Sequence, residues 1–279
     1  MASSKVWFVT GTSSGFGRVW TEAALKRGDR VIATARNVGR LDELVTAYGD
    51  AILALPLDVT DRDAVYEAVG RAHRHFGRLD VIVTNAGYGY MGAIEELEPE
   101  QAKASFDTNV FGTLWVIQAA LPILRAQASG HILTVSSIGG VIAFPTGGTY
   151  TATKFAVEAM SEALAAEVAA LGIKVTIIEP GHFTTGFRAA VQSPPAIDVY
   201  SPIRQAIRSS FKPEDFGDPV ATAAALFKAV DADEPPLRLV LGSTTIAKFK
   251  AVYQARLSNW DKWEAVSNAA QSTQHVSNA

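Results

Sequence analysis

The 279-residue chain contains no cysteine, and this absence excludes more chemistry than any other feature of its composition. Disulfides, thiolate nucleophiles and zinc–thiolate sites are ruled out. Histidine is sparse too, with five in the chain, and no His/Asp/Glu grouping has metal-ligand spacing, so no catalytic metal is expected. Neither sign of charge dominates. A net charge of -3 and a pI near 6.0 give no electrostatic reason to expect nucleic acid or an anionic membrane as partner. Missing as well is any run approaching the ~18 uninterrupted apolar residues of a membrane span. Met1-Ala-Ser-Ser leads into Lys5-Val-Trp-Phe-Val-Thr10, which has the length of a strand and not the form of a signal-peptide core. The expectation is a soluble cytoplasmic protein.

What is present is rhythm. Short apolar runs at 6–10, 30–35, 51–57, 79–84, 131–136, 174–179 and 237–241 are rich in Val, Ile and Leu without clean alternation. Strands covered by helices on both faces read this way. Helical stretches fall between them, near 16–28, 39–48, 61–76, 99–127, 150–171 and 217–231, with Asp61 as an N-cap and Pro99 in a first turn. Strand and helix in alternation imply an α/β fold, a single doubly wound domain over 1–279 with a seven-stranded, mostly parallel sheet. Two regions break the pattern. Residues 186–216 carry Pro194-Pro195, Pro202 and Pro213 and read as a lid over the carboxyl edge of the sheet. Residues 244–266 read as a C-terminal helix with Phe249, Val252, Tyr253, Leu257, Trp260 and Trp263 at apolar spacing, and 267–279 as a frayed tail.

Two motifs carry chemistry. The first predicted strand runs into Thr10-Gly-Thr-Ser-Ser-Gly-Phe-Gly17, where Gly11, Gly15 and Gly17 precede a helix. Glycines there let the backbone approach a pyrophosphate, whose charge then sits at the positive end of the helix. Further along, Tyr150 and Lys154 lie four residues apart on one helical face, 13 residues after Ser137. An ammonium beside a phenol favours phenolate and brings a group of reference pKa ~10 towards neutral pH.

The glycine spacing, Gly-x-x-x-Gly-x-Gly, with these later motifs resembles the short-chain dehydrogenase/reductase family over residues 5–185. Asp58-Val59 ends the third strand, and Asn85-Ala86-Gly87 follows the fourth, with Thr84 where the family has a further Asn. Asn109 lies in the fourth helix, and Pro180-Gly181 with Thr185 follows the sixth strand. The resemblance implies a nicotinamide dinucleotide bound by Gly11, Ser13, Ser14, Gly15, Phe16, Gly17, Asp58, Val59, Asn85, Ala86, Gly87, Tyr150, Lys154, Pro180, Gly181, Phe183 and Thr185. It also implies a catalytic set of Asn109, Ser137, Tyr150 and Lys154. Tyr150 would exchange a proton with the substrate oxygen, Ser137 would hydrogen-bond that oxygen, and Lys154 would stabilise phenolate and hold the ribose. Asn109 would interrupt its helix and hold a water linking Lys154 to solvent.

The second strand ends Ala33-Thr34-Ala35-Arg36-Asn37, with no acidic residue to repel a 2′-phosphate and a guanidinium to bind one, which favours NADP(H) over NAD(H). Arg40 is a second, weaker contact. Substrate contacts are expected from Tyr88, Ile138, Phe144, His182 and Phe187, an apolar and aromatic lining suited to a lipophilic ketone, aldehyde or alcohol. Alternatives are a nucleotide-sugar epimerase or dehydratase, and an NADP-sensing regulator without turnover. The resemblance also implies pairing through the helices near 99–127 and 150–171 into a homodimer or homotetramer.

Overall fold

All seven expected strands form, as β1 Val6–Thr10, β2 Arg30–Ala35, β3 Ile52–Pro56, β4 Val81–Thr84, β5 Gly130–Val135, β6 Ile173–Pro180 and β7 Arg238–Leu241. The computed structural model describes residues 4–271. The strands make one sheet in the order β3-β2-β1-β4-β5-β6-β7, and every neighbouring pair is parallel. Sequence order reverses direction between β1 and β4, which opens a crevice at their carboxyl ends. Every residue of β1 and β4 is buried, as expected of central strands with helices on both faces.

Two apolar layers flank the sheet. One packs Val6, Phe8, Ile32, Ile82 and Ile132 against α3 (Arg62–Phe76) and α5 (Gly112–Gln127). The other packs Trp7, Val9, Val31 and Leu133 against α1 (Gly15–Lys26) and α8 (Thr222–Asp231). Burial of such side chains contributes about 1.5–3 kcal/mol each. Two fully buried indoles also satisfy their N–H groups: Trp7 Nε1 donates to Asp29 at 2.9 Å and Trp20 Nε1 to Thr222 at 2.8 Å. Asp61 caps α3 by accepting from Ala64 N at 3.0 Å, and Pro99 opens α4 (Pro99–Phe106).

The expected long helix at 99–127 is continuous but not uniform. Between α4 and α5 the chain widens into a π-helical segment, Asp107–Phe111, which contains Asn109. By length and composition alone, Pro99–Gln127 is apolar enough to cross a membrane; half of its most apolar window is buried, as in a core helix. Helix α2 (Asp42–Tyr48) follows a 3-10 turn at Val38–Leu41, and α6 runs Gly148–Val168.

Two expectations need correction. The proline-rich excursion holds a helix, α7 (Ser201–Ser210), because Pro202 sits in its first turn, where a missing N–H costs nothing. Helix α9 extends over Thr245–Ala269, so 267–269 are helical and do not fray; the rest of the expected tail, 272–279, lies outside the described residues. The apolar spacing of α9 does not mean burial either. Phe249 is buried, whereas Tyr253, Leu257, Trp260 and Trp263 are exposed on the single chain.

Candidate active site

The glycine turn lies at the carboxyl end of β1, at the reversal of the sheet. Gly11 has φ +70°, and a Cβ on it would lie 2.9 Å from the Ala86 Cα. A Cβ on Gly17 would strike the Gly11 carbonyl oxygen and come 2.6 Å from Asn85 Nδ2. Glycine at both places is therefore a packing requirement as well as a provision for ligand approach. Ser14, the N-cap of α1, makes no side-chain cap, and no acidic residue occupies the first turn. The first N–H groups of this 12-residue helix thus remain available to an anion, as a pyrophosphate requires.

Asn85 braces this turn from β4. Its Nδ2 donates to the Thr10 and Gly11 carbonyls at 2.9 and 3.1 Å, and its backbone N–H donates to Thr10 Oγ1 at 2.9 Å. The same hydroxyl accepts from Ala86 N at 3.0 Å. The side-chain amide and the backbone N–H of Asn85 therefore both shape the loop. The importance of Thr10 was not legible from sequence, because a strand-end threonine has many uses. Thr84, in the position of the family's Asn, buries a hydroxyl with no partner among the described residues.

Two clefts flank the glycine turn. One, of about 370 Å³, is lined by Arg36, Pro56, Leu57, Asp58, Asp61 and Ala64. The side chain of Val59 is turned away and packs against Gly112 on α5. Arg40 offers its carbonyl to Arg18 Nη1 at 2.7 Å. The other cleft, of about 410 Å³, is lined by Phe183, Thr184, Thr185, Arg188 and Phe216. Thr185 reaches over the turn, with its Cβ 3.9 Å from the Cβ position of Gly15, and Phe183 meets Phe16 edge-on at 5.3 Å. The loop after β6, with Pro180 at the strand end and Gly181 bonded to Leu241 O at 2.9 Å, thus closes one side of the crevice. Thr184 and Arg188 are additions to the sequence reading.

Between the clefts, α6 brings Tyr150 and Lys154 beside the end of β5. Both are 6% exposed. Lys154 Nζ donates to the Val135 carbonyl at 2.9 Å and lies 5.9 Å from the Tyr150 ring centroid. Ser137 Oγ accepts from Gly139 N at 3.1 Å, so its own proton is free to be donated. Asn109 is 1% exposed; its amide donates to Tyr88 O at 2.9 Å and Thr153 Oγ1 at 3.0 Å and accepts from Tyr88 N at 3.0 Å. The expected interruption of the helix occurs, and it turns Asn109 inward to tie the loop after β4 to α6. A Cβ on Gly87 would lie 2.9 Å from Asn109 Oδ1 and 3.7 Å from Lys154 Nζ, which places both side chains against one point of that loop.

The expected depression of the Tyr150 pKa is not what the geometry gives. Burial pushes the phenol up to about 12, and the Ser137 hydroxyl beside it offsets part of the rise. Lys154 is itself pushed down to about 8 by burial, with Glu158 acting in the opposite direction. Its ammonium hydrogen-bonds a carbonyl and not the phenol, so desolvation prevails and Tyr150 is held as an acid.

The lid lies over this centre. Phe187 covers the Tyr150 ring, with centroids 5.4 Å apart. Gln192 pairs with the loop after β4, donating to Gly89 O at 2.8 Å and accepting from Met91 N at 2.9 Å. Glu96, buried, accepts from Ile197 N and Ala93 N, each at 2.7 Å, and from Arg204 Nη1 at 2.9 Å. The Ile197 bond leads in holding its carboxyl below the ordinary range. Of the expected substrate contacts, Tyr88, Ile138 and Phe144 are partly exposed around this centre, with Tyr88 anchored by Asn109. His182 packs against Phe211 and Phe216 at 4.9 and 5.7 Å, an aromatic cluster at the base of the lid. Tyr90 is core, and its hydroxyl accepts from Glu98 N at 3.0 Å. Among the described residues, no three His, Asp or Glu side chains are grouped to hold a metal ion.

A doubly wound parallel sheet, a glycine turn at its reversal and a buried Tyr–Lys pair with Ser137 beside it define an NAD(P)-dependent oxidoreductase acting on CH–OH groups. A family model described as short chain dehydrogenase matches residues 5–196, and the chain belongs to that family. Among curated relatives, it is 38% identical over 272 residues to Oxidoreductase BOA17 of Botryotinia fuckeliana, covering 96% of this chain and 99% of that one. It is 35% identical over 247 residues to 3-ketodihydrosphingosine reductase of Bacteroides thetaiotaomicron, covering 85% and 88%. A crystal structure of a short-chain dehydrogenase from Streptomyces avermitilis superposes with a TM-score of 0.90 at 40% identity, covering 97% of this chain and all of that one.

Proposed function

We propose that this chain interconverts lipophilic ketones or aldehydes and their alcohols with NADP(H). The observation that carries the reading is a phenol buried beside Ser137 and Lys154 and covered by an aromatic ring, Phe187, at 5.4 Å. Val191 and Met91 border the same place, since both approach Gly89 beside Phe187. A polar substrate would lose hydration there without finding partners, whereas an apolar carbonyl compound would not. The similarity to a 3-ketodihydrosphingosine reductase supports the same substrate class.

NADP(H) is favoured by Arg36, in a cleft whose two carboxylates are otherwise engaged. Asp61 caps α3, and Asp58 accepts from Thr60 N at 3.0 Å and Thr60 Oγ1 at 2.8 Å. The guanidinium is thus the group left to meet a 2′-phosphate.

When bound, the nicotinamide supplies or accepts the hydride. In reduction, Tyr150 gives its proton to the carbonyl oxygen, and Ser137 donates a hydrogen bond to the same oxygen as charge develops. The ammonium of Lys154 compensates the phenolate left behind and orients the ribose. Asn109 holds Tyr88 and α6 in register, and the lid excludes water while the proton moves. Phe111 and Phe155, exposed on the π segment and α6, supply apolar surface for pairing of two or four copies.

The test is NADPH oxidation against a panel of long-chain and cyclic ketones. Wild type is expected to turn over. Tyr150→Phe should bind NADPH unchanged in a fluorescence titration and lose at least ~100-fold in kcat. Cofactor binding by wild type with no turnover on any ketone would favour the sensing reading instead.

A further inference from the structure

Lys154 is not the last charged residue on its face of α6. Glu158 follows it by one helical turn and is 4% exposed, an expensive place for a carboxylate unless it is paired. Its Oε2 pairs with Arg238 Nη1 on β7. Glu179, on β6 and 1% exposed, pairs through Oε1 with the same nitrogen, while Glu162 meets Arg238 Nη2 at 2.6 Å. Three carboxylates thus meet one guanidinium, those of Glu158 and Glu179 buried and that of Glu162 half exposed.

The other oxygen of Glu158 lies at the loop after β5. Glu158 Oε1 has no hydrogen-bond partner among the described residues, and neither does Ser136 Oγ. Both lie against Gly140, where a side chain would strike Ser136 Oγ and come 2.8 Å from Glu158 Oε1. The run Val135-Ser136-Ser137 therefore takes the hydrogen bond of Lys154, borders Glu158 through Gly140 and presents the hydroxyl beside Tyr150. The titratable and charged groups facing Glu158 are Lys154 and Glu162 on α6, Glu179 on β6 and Arg238 on β7. From β5 and its following loop come neutral groups, the Val135 carbonyl and the Ser136 hydroxyl.

We propose that Glu158 is a positioning residue for the Tyr150–Lys154 pair: its buried carboxylate, held by Arg238 one helical turn from Lys154, keeps the ammonium charged. Burial and the Glu158 charge push the Glu179 carboxyl up to about 7, while Arg238 acts in the opposite direction. The consequence for turnover rests on the reading of Lys154 as the partner of the phenolate; the electrostatic coupling itself does not.

The experiment is a pH titration of the Lys154 side chain by NMR of the full chain labelled with ¹³Cε-lysine, the signal being assigned with Lys154→Arg. Glu158→Gln should lower the midpoint by about one pH unit or more, because the ammonium loses the carboxylate one turn away. Glu179→Gln should leave it near the wild-type value, because Glu179 meets Arg238 and not Lys154. A purely structural role, in which either carboxylate only holds Arg238, would move both midpoints alike. An unchanged midpoint in Glu158→Gln, or an equal shift in both variants, overturns the proposal. Should Glu158→Gln not fold, Glu158→Asp decides: the withdrawn carboxylate should lower the midpoint by a smaller amount, and an unchanged midpoint refutes the coupling. Ketone reduction by wild type, assayed alongside, separates the two claims. A fall confined to Glu158→Gln in a protein without turnover refutes the function and not the coupling, and turnover without that fall does the reverse.

Discussion

Asn85 offers a sharp test of how the glycine turn is held. Its Nδ2 bridges the Thr10 and Gly11 carbonyls at 2.9 and 3.1 Å, joining β4 to the loop that follows β1. Asn85→Ala removes both bonds. At about 1 kcal/mol each, with some further cost for carbonyls left facing no donor, the loss is ~2–3 kcal/mol. For a chain of this size that is roughly 3–5 °C in Tm. The NADPH Kd should rise at least ~10-fold, about 1.4 kcal/mol, because the turn must then be ordered by the ligand itself. Asn85→Asp is the informative comparison. It is isosteric, but an ionised carboxylate only accepts, and here two acceptors face it. It should therefore be less stable than the truncation at neutral pH. Repulsion raises the folded-state pKa of the introduced carboxyl above its unfolded ~3.9. Stability lost at high pH should consequently return as pH falls through that raised value, when the protonated acid can donate one bond. Thermal melts of the three proteins at pH 7.5 and pH 5, with and without NADPH, measure this. If Asn85→Asp is as stable as Asn85→Ala at pH 7.5, the bridging account is wrong.

Three further outcomes are expected. Because burial holds Tyr150 up at about 12 and Lys154 down at about 8, ketone reduction should lose rate above pH 8 through Lys154 and not through the phenol; a pH–rate profile of Lys154→Arg, whose guanidinium stays charged, should lack that limb. Arg36→Ala should lower the ratio of NADPH to NADH specificity constants by ~10-fold or more, and an unchanged ratio in steady-state kinetics would remove Arg36 from cofactor choice. His131, whose Nε2 meets Thr176 Oγ1 at 2.9 Å, is pushed down to about 4 mainly by burial. The unfolded chain then binds the extra proton first, so stability present above the unfolded value of ~6.5 is lost as pH falls towards 4, by roughly 3 kcal/mol in all. Urea melts should show this slope in wild type and a flatter one in His131→Leu.

Sequence pattern made the sheet legible because each buried strand is a local apolar run, and it made Gly11, Gly17, Ser137, Tyr150 and Lys154 legible because fixed spacing places each at a strand end or on one helical face. Electrostatics was not legible in the same way. Adjacency of Tyr150 and Lys154 on α6 says nothing of what else surrounds them, and burial of both reverses the expected direction for the phenol. Glu158 could have been found, since it stands to Lys154 as Lys154 stands to Tyr150. Its partners Glu179 and Arg238 could not, being on two later strands.

The lid shows why substrate contacts were the least legible part. Its anchors join residues about a hundred positions apart: Gly89 and Met91 to Gln192, and Glu96 to Ile197 and Arg204. None has a local signature; Glu96 reads as one of several surface acids and Gln192 as a loop residue. Once formed, these contacts fix where Phe187 and Val191 fall relative to Tyr150, and that placement shapes the space left for a substrate. The proton-handling groups, by contrast, stand on the loop after β5, on α6 and on the π segment, and of these only Tyr150 meets the lid, through Phe187. Substitutions within the excursion away from Phe187 can therefore redirect which carbonyl reaches Tyr150 while Ser137, Lys154 and Asn109 keep their places. Glu96 is the exception, because its buried carboxylate accepts from both the lid and the loop after β4, so losing it would release the cover and unsettle the loop that Asn109 holds.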